Sequence, residues 1–141
     1  MSTGTKSILC GDCDDNMIDA LISKVIMNAL GDQDVRFVTS ILAEDILRFA
    51  ENEHYDLAVI IVNNIIYQDG KGATPDNNEQ SLNLISTLAH RWLIPVIVFY
   101  HLGFKESYAE NALRAGALAA HPMPCPPGSF KASLDRWLAN Q

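Results

Sequence analysis

The chain alternates short apolar runs with amphipathic stretches. Its most continuous run, Leu57 to Val62, follows Tyr55-Asp56 and ends at Asn63-Asn64. The run is rich in β-branched residues and has no polar face, the pattern of a strand covered on both sides in the middle of a parallel sheet. Ser7 to Gly11 is a shorter strand that leads into Asp12-Cys13-Asp14-Asp15. Ile18, Leu21, Ile22, Val25, Ala29 and Leu30 then recur at three- and four-residue spacing and predict a helix. Asp14 or Asp15 can cap its start, and Gly31 stands where it stops. Val35 to Val38 predicts a second strand. A helix from about Ala43 to Asn52 follows, with Ile46, Leu47 and Ala50 inward.

The second half repeats the alternation after a break. Tyr67 to Gln80 is dense in turn formers, including Asp69-Gly70 and Thr74-Pro75-Asp76, and a connection this long is usually functional or mobile. Leu82, Leu84, Ile85, Leu88 and Ala89 predict a helix ending near Trp92. Ile94 to Tyr100 is another buried-type strand, with Pro95 tolerated at its beginning. A helix from about Lys105 to Ala115 is closed by Gly116. Ala117 to His121 is the last strand. Its alanines favour helix by propensity, but Pro122, Pro124, Pro126 and Pro127 forbid a continuous helix there. Phe130, Leu134, Trp137 and Leu138 mark the stripe of a closing helix. Five strands alternating with five helices make successive βαβ units. The expected fold class is therefore α/β, a parallel sheet with helices on both faces, in one domain spanning 1–141.

Composition narrows the function. At 141 residues, 48% hydrophobic and 19% charged, the chain suits a single globular domain. A net charge of −7 argues against nucleic acid or anionic lipid as a partner. The start, Met1 to Lys6, is polar and carries no basic-then-apolar signal, and no apolar span approaches the roughly twenty residues of a membrane helix. Three cysteines without such a signal fit a reducing cytoplasm.

In open parallel sheets the chemistry lies just beyond the carboxyl ends of the strands. The order of motifs resembles that of bacterial response-regulator receiver domains, the CheY-like family. The resemblance rests on Ile8-Leu9 leading into the acidic turn, the YDLAVII strand, Asp69-Gly70, IPVIVFY, ALRAGA and Met123-Pro124, and it covers essentially the whole chain. It implies a flavodoxin-like sheet of order 2-1-3-4-5. It also implies a phosphoacceptor Asp, an acidic pair for Mg²⁺, a Ser or Thr switch, and a Lys before a cis-proline. Carried onto this chain, most of that site is replaced. The acidic turn keeps Asp12, but the second acid falls on Cys13, with Asp14 next. The acceptor position falls on Ile61, Val62 or Asn63, the switch hydroxyl on Tyr100 followed by His101, the Lys on Met123, and the aromatic switch on Ala120. Phosphoryl transfer needs a carboxylate nucleophile, oxygen ligands for a hard cation, and a positive charge for the phosphoryl oxygens. An amide or a hydrocarbon supplies no nucleophile.

The expectation is a non-enzymatic pseudo-receiver in two-component or phosphorelay signalling. It would act as a phosphorylation-independent protein-interaction module with no cofactor beyond a weak Mg²⁺ site at Asp12 and Asp14. The resemblance implies a partner or homodimer face on the last two helices and last strand, with Tyr108, Ala119 and Trp137 as candidates and Phe130 in the core. Two rival readings keep the fold. One is a divergent receiver phosphorylated on Asp12, Asp14 or Asp69. The other is a small-molecule sensor with Tyr100, His101 and Met123 lining the vacated cleft. Asp69 reads first as a turn residue. His101 and His121 both follow strands and are the one histidine pair expected to meet. Cys10-Gly11-Asp12-Cys13 has the redox spacing C-x-x-C, but Cys10 falls inside a strand and the nearby acids would raise a thiol pKa, against reactivity.

Overall fold

The computed structural model describes residues 5–11, 16–31, 33–101, 103–123 and 127–140. Five strands, β1 (Lys6–Gly11), β2 (Val35–Ser40), β3 (Leu57–Ile61), β4 (Val96–His101) and β5 (Ala119–Met123), form one parallel sheet in the order β2-β1-β3-β4-β5. The helices are α1 (Asn16–Leu30), α2 (Ala43–Asn52), α3 (Glu79–Ser86), α4 (Ser107–Arg114) and α5 (Pro127–Ala139). No helix among the described residues is long and apolar enough to cross a membrane.

Alternation along the central strands divides the core into two layers. Leu57, Val59 and Ile61 of β3 join Ile8, Cys10, Ile97 and Phe99 beneath α1 and α5. Ala58, Ile60 and Val62 join Leu9, Val96, Val98 and Tyr100 beneath α2, α3 and α4. All five residues of β3 are buried, which is why its sequence has no polar face.

Several boundaries differ from the sequence expectation, each for a local reason. Val62 leaves the strand and opens a short 3-10 turn, Val62–Asn64. The strongest inward residue of α1 among those described is Ile26, which the predicted stripe omitted. The α3 helix widens into a π-turn, Thr87–Arg91, before Trp92. The last strand lies two residues later than expected, because the Leu118 N–H bonds the Val96 carbonyl and the ladder then runs on to His101 opposite Met123. The proposed Asp14 or Asp15 cap and the cis Met123–Pro124 bond lie outside the described residues. The segment from Tyr67 to Gln80 is tied internally: Thr74 and Asn77 exchange backbone bonds, and the Asn78 amide donates to the carbonyls of Thr74 and Pro75.

Gly116 follows α4 at φ +118, where a Cβ would sit 2.8 Å from both Ala89 Cβ and His90 Nε2. Gly70 has φ +79 but open space around it. Gly116→Ala is therefore expected to cost about 2–4 kcal/mol, combining backbone strain with overpacking. Gly70→Ala should cost only about 1 kcal/mol, from the left-handed backbone alone. Urea unfolding of the two variants checks the difference.

Candidate functional site

Among the described residues, hydrocarbon fills the carboxyl ends of β1 and β3. β1 ends at Gly11, and the space its Cβ would take is filled by the terminal methyls of Ile60, Ile46 and Ile65. β3 ends at Ile61, which is 0% exposed, pairs with Phe99 and belongs to the α1–α5 layer. Val62 is also 0% exposed but faces the opposite layer. Its carbonyl accepts the Tyr67 hydroxyl at 2.8 Å, so the start of the long connection is held against the end of β3. Of the three acceptor positions weighed from the sequence, two are buried alkyl groups and the third, Asn63, is a half-buried amide in the 3-10 turn.

Tyr100, to which the resemblance assigns the switch hydroxyl, is buried on the α2–α4 side. Its ring lies 5.3 Å from Tyr108 and 6.4 Å from Phe104. Burial, then the charge of Glu106, pushes its phenol upward. Met123 packs against the α1–α5 layer, across the sheet. Tyr100 and Met123 thus pack in different layers of the core.

Two of the candidate interaction residues are anchored inside. Tyr108 is 2% exposed, and its hydroxyl meets Ser81 Oγ at 2.7 Å. Ser81 gives its own proton to the Asn78 carbonyl at 2.5 Å, so Tyr108 is the donor. Trp137 is 2% exposed and donates through Nε1 to the Asp56 carbonyl at 3.1 Å. Ala119 is buried as well, as is Phe130 in its expected place. The expectation that Tyr108, Ala119 and Trp137 present a surface is corrected: aromatic bodies with a satisfied polar tip are core material. The Tyr67–Ser81–Tyr108 group links the end of β3 to α3 and α4, and sequence reading missed it. The available signal was that Ser81 shares a helical stripe with Leu84, Ile85 and Leu88.

The remaining candidates separate. Asp69 accepts the Lys71 N–H through Oδ1 at 2.9 Å beside Gly70, a turn as expected. His101 is exposed, and its Nδ1 accepts the Gly103 N–H. His121 packs beside Phe99 and meets Ser133 Oγ at 2.8 Å, so the two histidines do not pair. Burial, then Arg136, lowers the His121 pKa. Asp12, Cys13 and Asp14 lie outside the described residues; among the described ones no three His, Cys, Asp or Glu side chains converge as a metal site.

Burial raises the Tyr108 pKa to about 12 and, with Glu53, does the same at Tyr55. The folded state then holds these protons after the unfolded chain has begun to release them near pH 10. The contribution of these two tyrosines to stability should be flat below about pH 10 and fall between 10 and 12, by up to about 1.4 kcal/mol per pH unit for each. Tyr108→Phe should reduce that slope in urea titrations. Ser81→Ala, which strands the Tyr108 hydroxyl, should cost about 1–3 kcal/mol at neutral pH.

No protein-family model matches the chain, and no curated protein does. Solved structures match along nearly its whole length. The receiver domain of the Francisella response regulator 1452 superimposes with a TM-score of 0.68 at 16% identity, covering 96% of this chain and 98% of its own. A CheY-like receiver domain protein from Methanospirillum hungatei gives 0.65 at 21% identity, covering 98% and 100%. The receiver domain of a Pseudomonas aeruginosa sensor histidine kinase, which holds magnesium in its active-site cleft, gives 0.62 at 18% identity, covering 96% and 99%. At these identities the likeness is one of fold. Five parallel strands in the order 2-1-3-4-5 with five helices form the CheY-like, flavodoxin-type architecture that the motifs implied.

Proposed function

We propose that this chain is a pseudo-receiver: a non-enzymatic interaction module of two-component signalling that works without being phosphorylated. The observation that carries this reading is the complete burial of Ile61 and Val62 where a receiver presents its attacking carboxylate. An acyl phosphate needs a carboxylate oxygen open to the donor and a cation between the charged groups. Neither alkyl side chain offers an oxygen, and Asn63 offers only an amide.

The receiver-like neighbours favour a protein as the partner. Contacts to it would come from exposed residues such as Leu113 and Glu110 of α4, since Tyr108, Ala119 and Trp137 face inward. With no covalent switch, the output would follow from the amount of the module or the availability of its partner.

Incubation with acetyl phosphate and Mg²⁺, followed by intact-mass spectrometry, should give no phosphoryl adduct. An adduct removed by changing one of Asp12, Asp14 or Asp69 to Asn would establish a divergent but live receiver instead. Ile61→Asp should not create an acceptor, because a carboxylate there is buried among Phe99, Val59 and Cys10 without a cation. It should cost about 3 kcal/mol or more, read by chemical unfolding.

A further inference from the structure

The sheet ends in β5 on one side and β2 on the other. β5 carries Pro122, a residue that blunts an edge because it has no N–H to offer an incoming strand. β2 has no proline, lysine or bulge. Its register with β1 runs unbroken from Val35 opposite Lys6 to Ser40 opposite Gly11. Valine, phenylalanine and threonine, which make up most of it, suit an extended backbone. An edge of this kind is a template for a further strand.

The ladder fixes which backbone groups that edge presents. The Lys6 N–H bonds the Asp34 carbonyl, and Lys6 lies opposite Val35, so parallel pairing engages Arg36 and Val38 with β1. The alternate residues of β1 turn the other way, as the Asp56 N–H on the Ser7 carbonyl shows. The N–H and C=O groups of Val35, Phe37 and Thr39 therefore point outward, and among the described residues no hydrogen bond meets them.

We propose that β2 is a self-association edge: two copies pair β2 with β2, antiparallel, about a two-fold axis at Phe37, and join their sheets into one. In that register Phe37 exchanges backbone bonds with Phe37 of the other copy, and Val35 exchanges them with Thr39 on either side of the axis. The side chains agree. Phe37 meets its counterpart on the α1–α5 face, and Arg36 meets Val38 on the opposite face. The two Arg36 side chains lie diagonally across the axis, each with its charge met by Glu53 at 2.8 Å. Other registers fit less well. An axis at Arg36 would set two guanidiniums directly opposite. An axis at Val38 would set Val35 against Ile41, whose carbonyl already takes the Ile66 N–H at 2.7 Å. The strand is its own complement, which makes a second copy the occupant. The two copies carry −7 each, but beyond roughly 8 Å at physiological salt that repulsion is screened. This edge shares no residue with the ends of β1, β3 and β4, so the pairing and the phosphorylation reading stand or fall separately.

Sedimentation equilibrium of the full chain, from low to several hundred micromolar, tests this. The wild type should show a monomer–dimer equilibrium. Thr39→Pro removes an outward N–H, keeps the bonds to β1 and replaces an exposed side chain. It should weaken the dimer by about 30-fold, whereas Thr39→Val, which keeps the N–H, should leave it unchanged. Amide hydrogen exchange reads the same edge in the unsubstituted protein. The Val35, Phe37 and Thr39 amides should exchange more slowly as concentration rises, while Arg36 and Val38 stay slow throughout. A monomer at every concentration, a dimer that Thr39→Pro leaves intact, or exchange at Phe37 that ignores concentration would overturn the proposal.

Discussion

The structure depends on a central strand that is buried on both faces. Parallel pairing with β1 on one side and β4 on the other satisfies its backbone, and helices above and below remove every β3 side chain from water. Such a position is favourable for Val and Ile, and costly for any group that must keep a charge. The resemblance to receiver domains would put a phosphoacceptor at the end of this strand, where burial has to give way to an open carboxylate. In this chain burial continues one residue further, through Val62, and the chain then turns in a 3-10 bend.

The neighbouring elements agree with that choice. Gly11 admits three isoleucine methyls at the end of β1, and the Tyr67 hydroxyl ties the Val62 carbonyl. Tyr100 fills its side of the sheet with a ring stacked toward Phe104 and Tyr108. The position that the resemblance assigns to a switch hydroxyl thus holds a ring buried in the core. The Ser81–Tyr108 hydrogen bond then joins α3 to α4.

Most of the fold was legible from the sequence, because a strand buried on both faces and an amphipathic helix leave strong periodic signals. Leu57 to Ile61 needed only its own composition. The last strand was displaced by two residues because its limits follow from hydrogen bonds to β4, which local propensity does not encode. For the positions that the resemblance assigns to a phosphorylation site, Ile61, Tyr100 and Met123, the sequence shows residue types but not directions: only the register shows that Tyr100 and Met123 lie on opposite faces. Tyr108 and Trp137 were assigned to a surface for a related reason. Each is buried by virtue of a polar partner far along the chain, Ser81 at a separation of 27 residues and Asp56 at 81.

The most direct test is a pair of amide proton–nitrogen NMR spectra recorded with and without Mg²⁺ and beryllofluoride, which imitates a phosphoryl group on an aspartate. The account predicts superimposable spectra at the ends of β1, β3 and β4. Saturable shifts concentrated at Gly11, Val62, Asn63 and Tyr100 would contradict it.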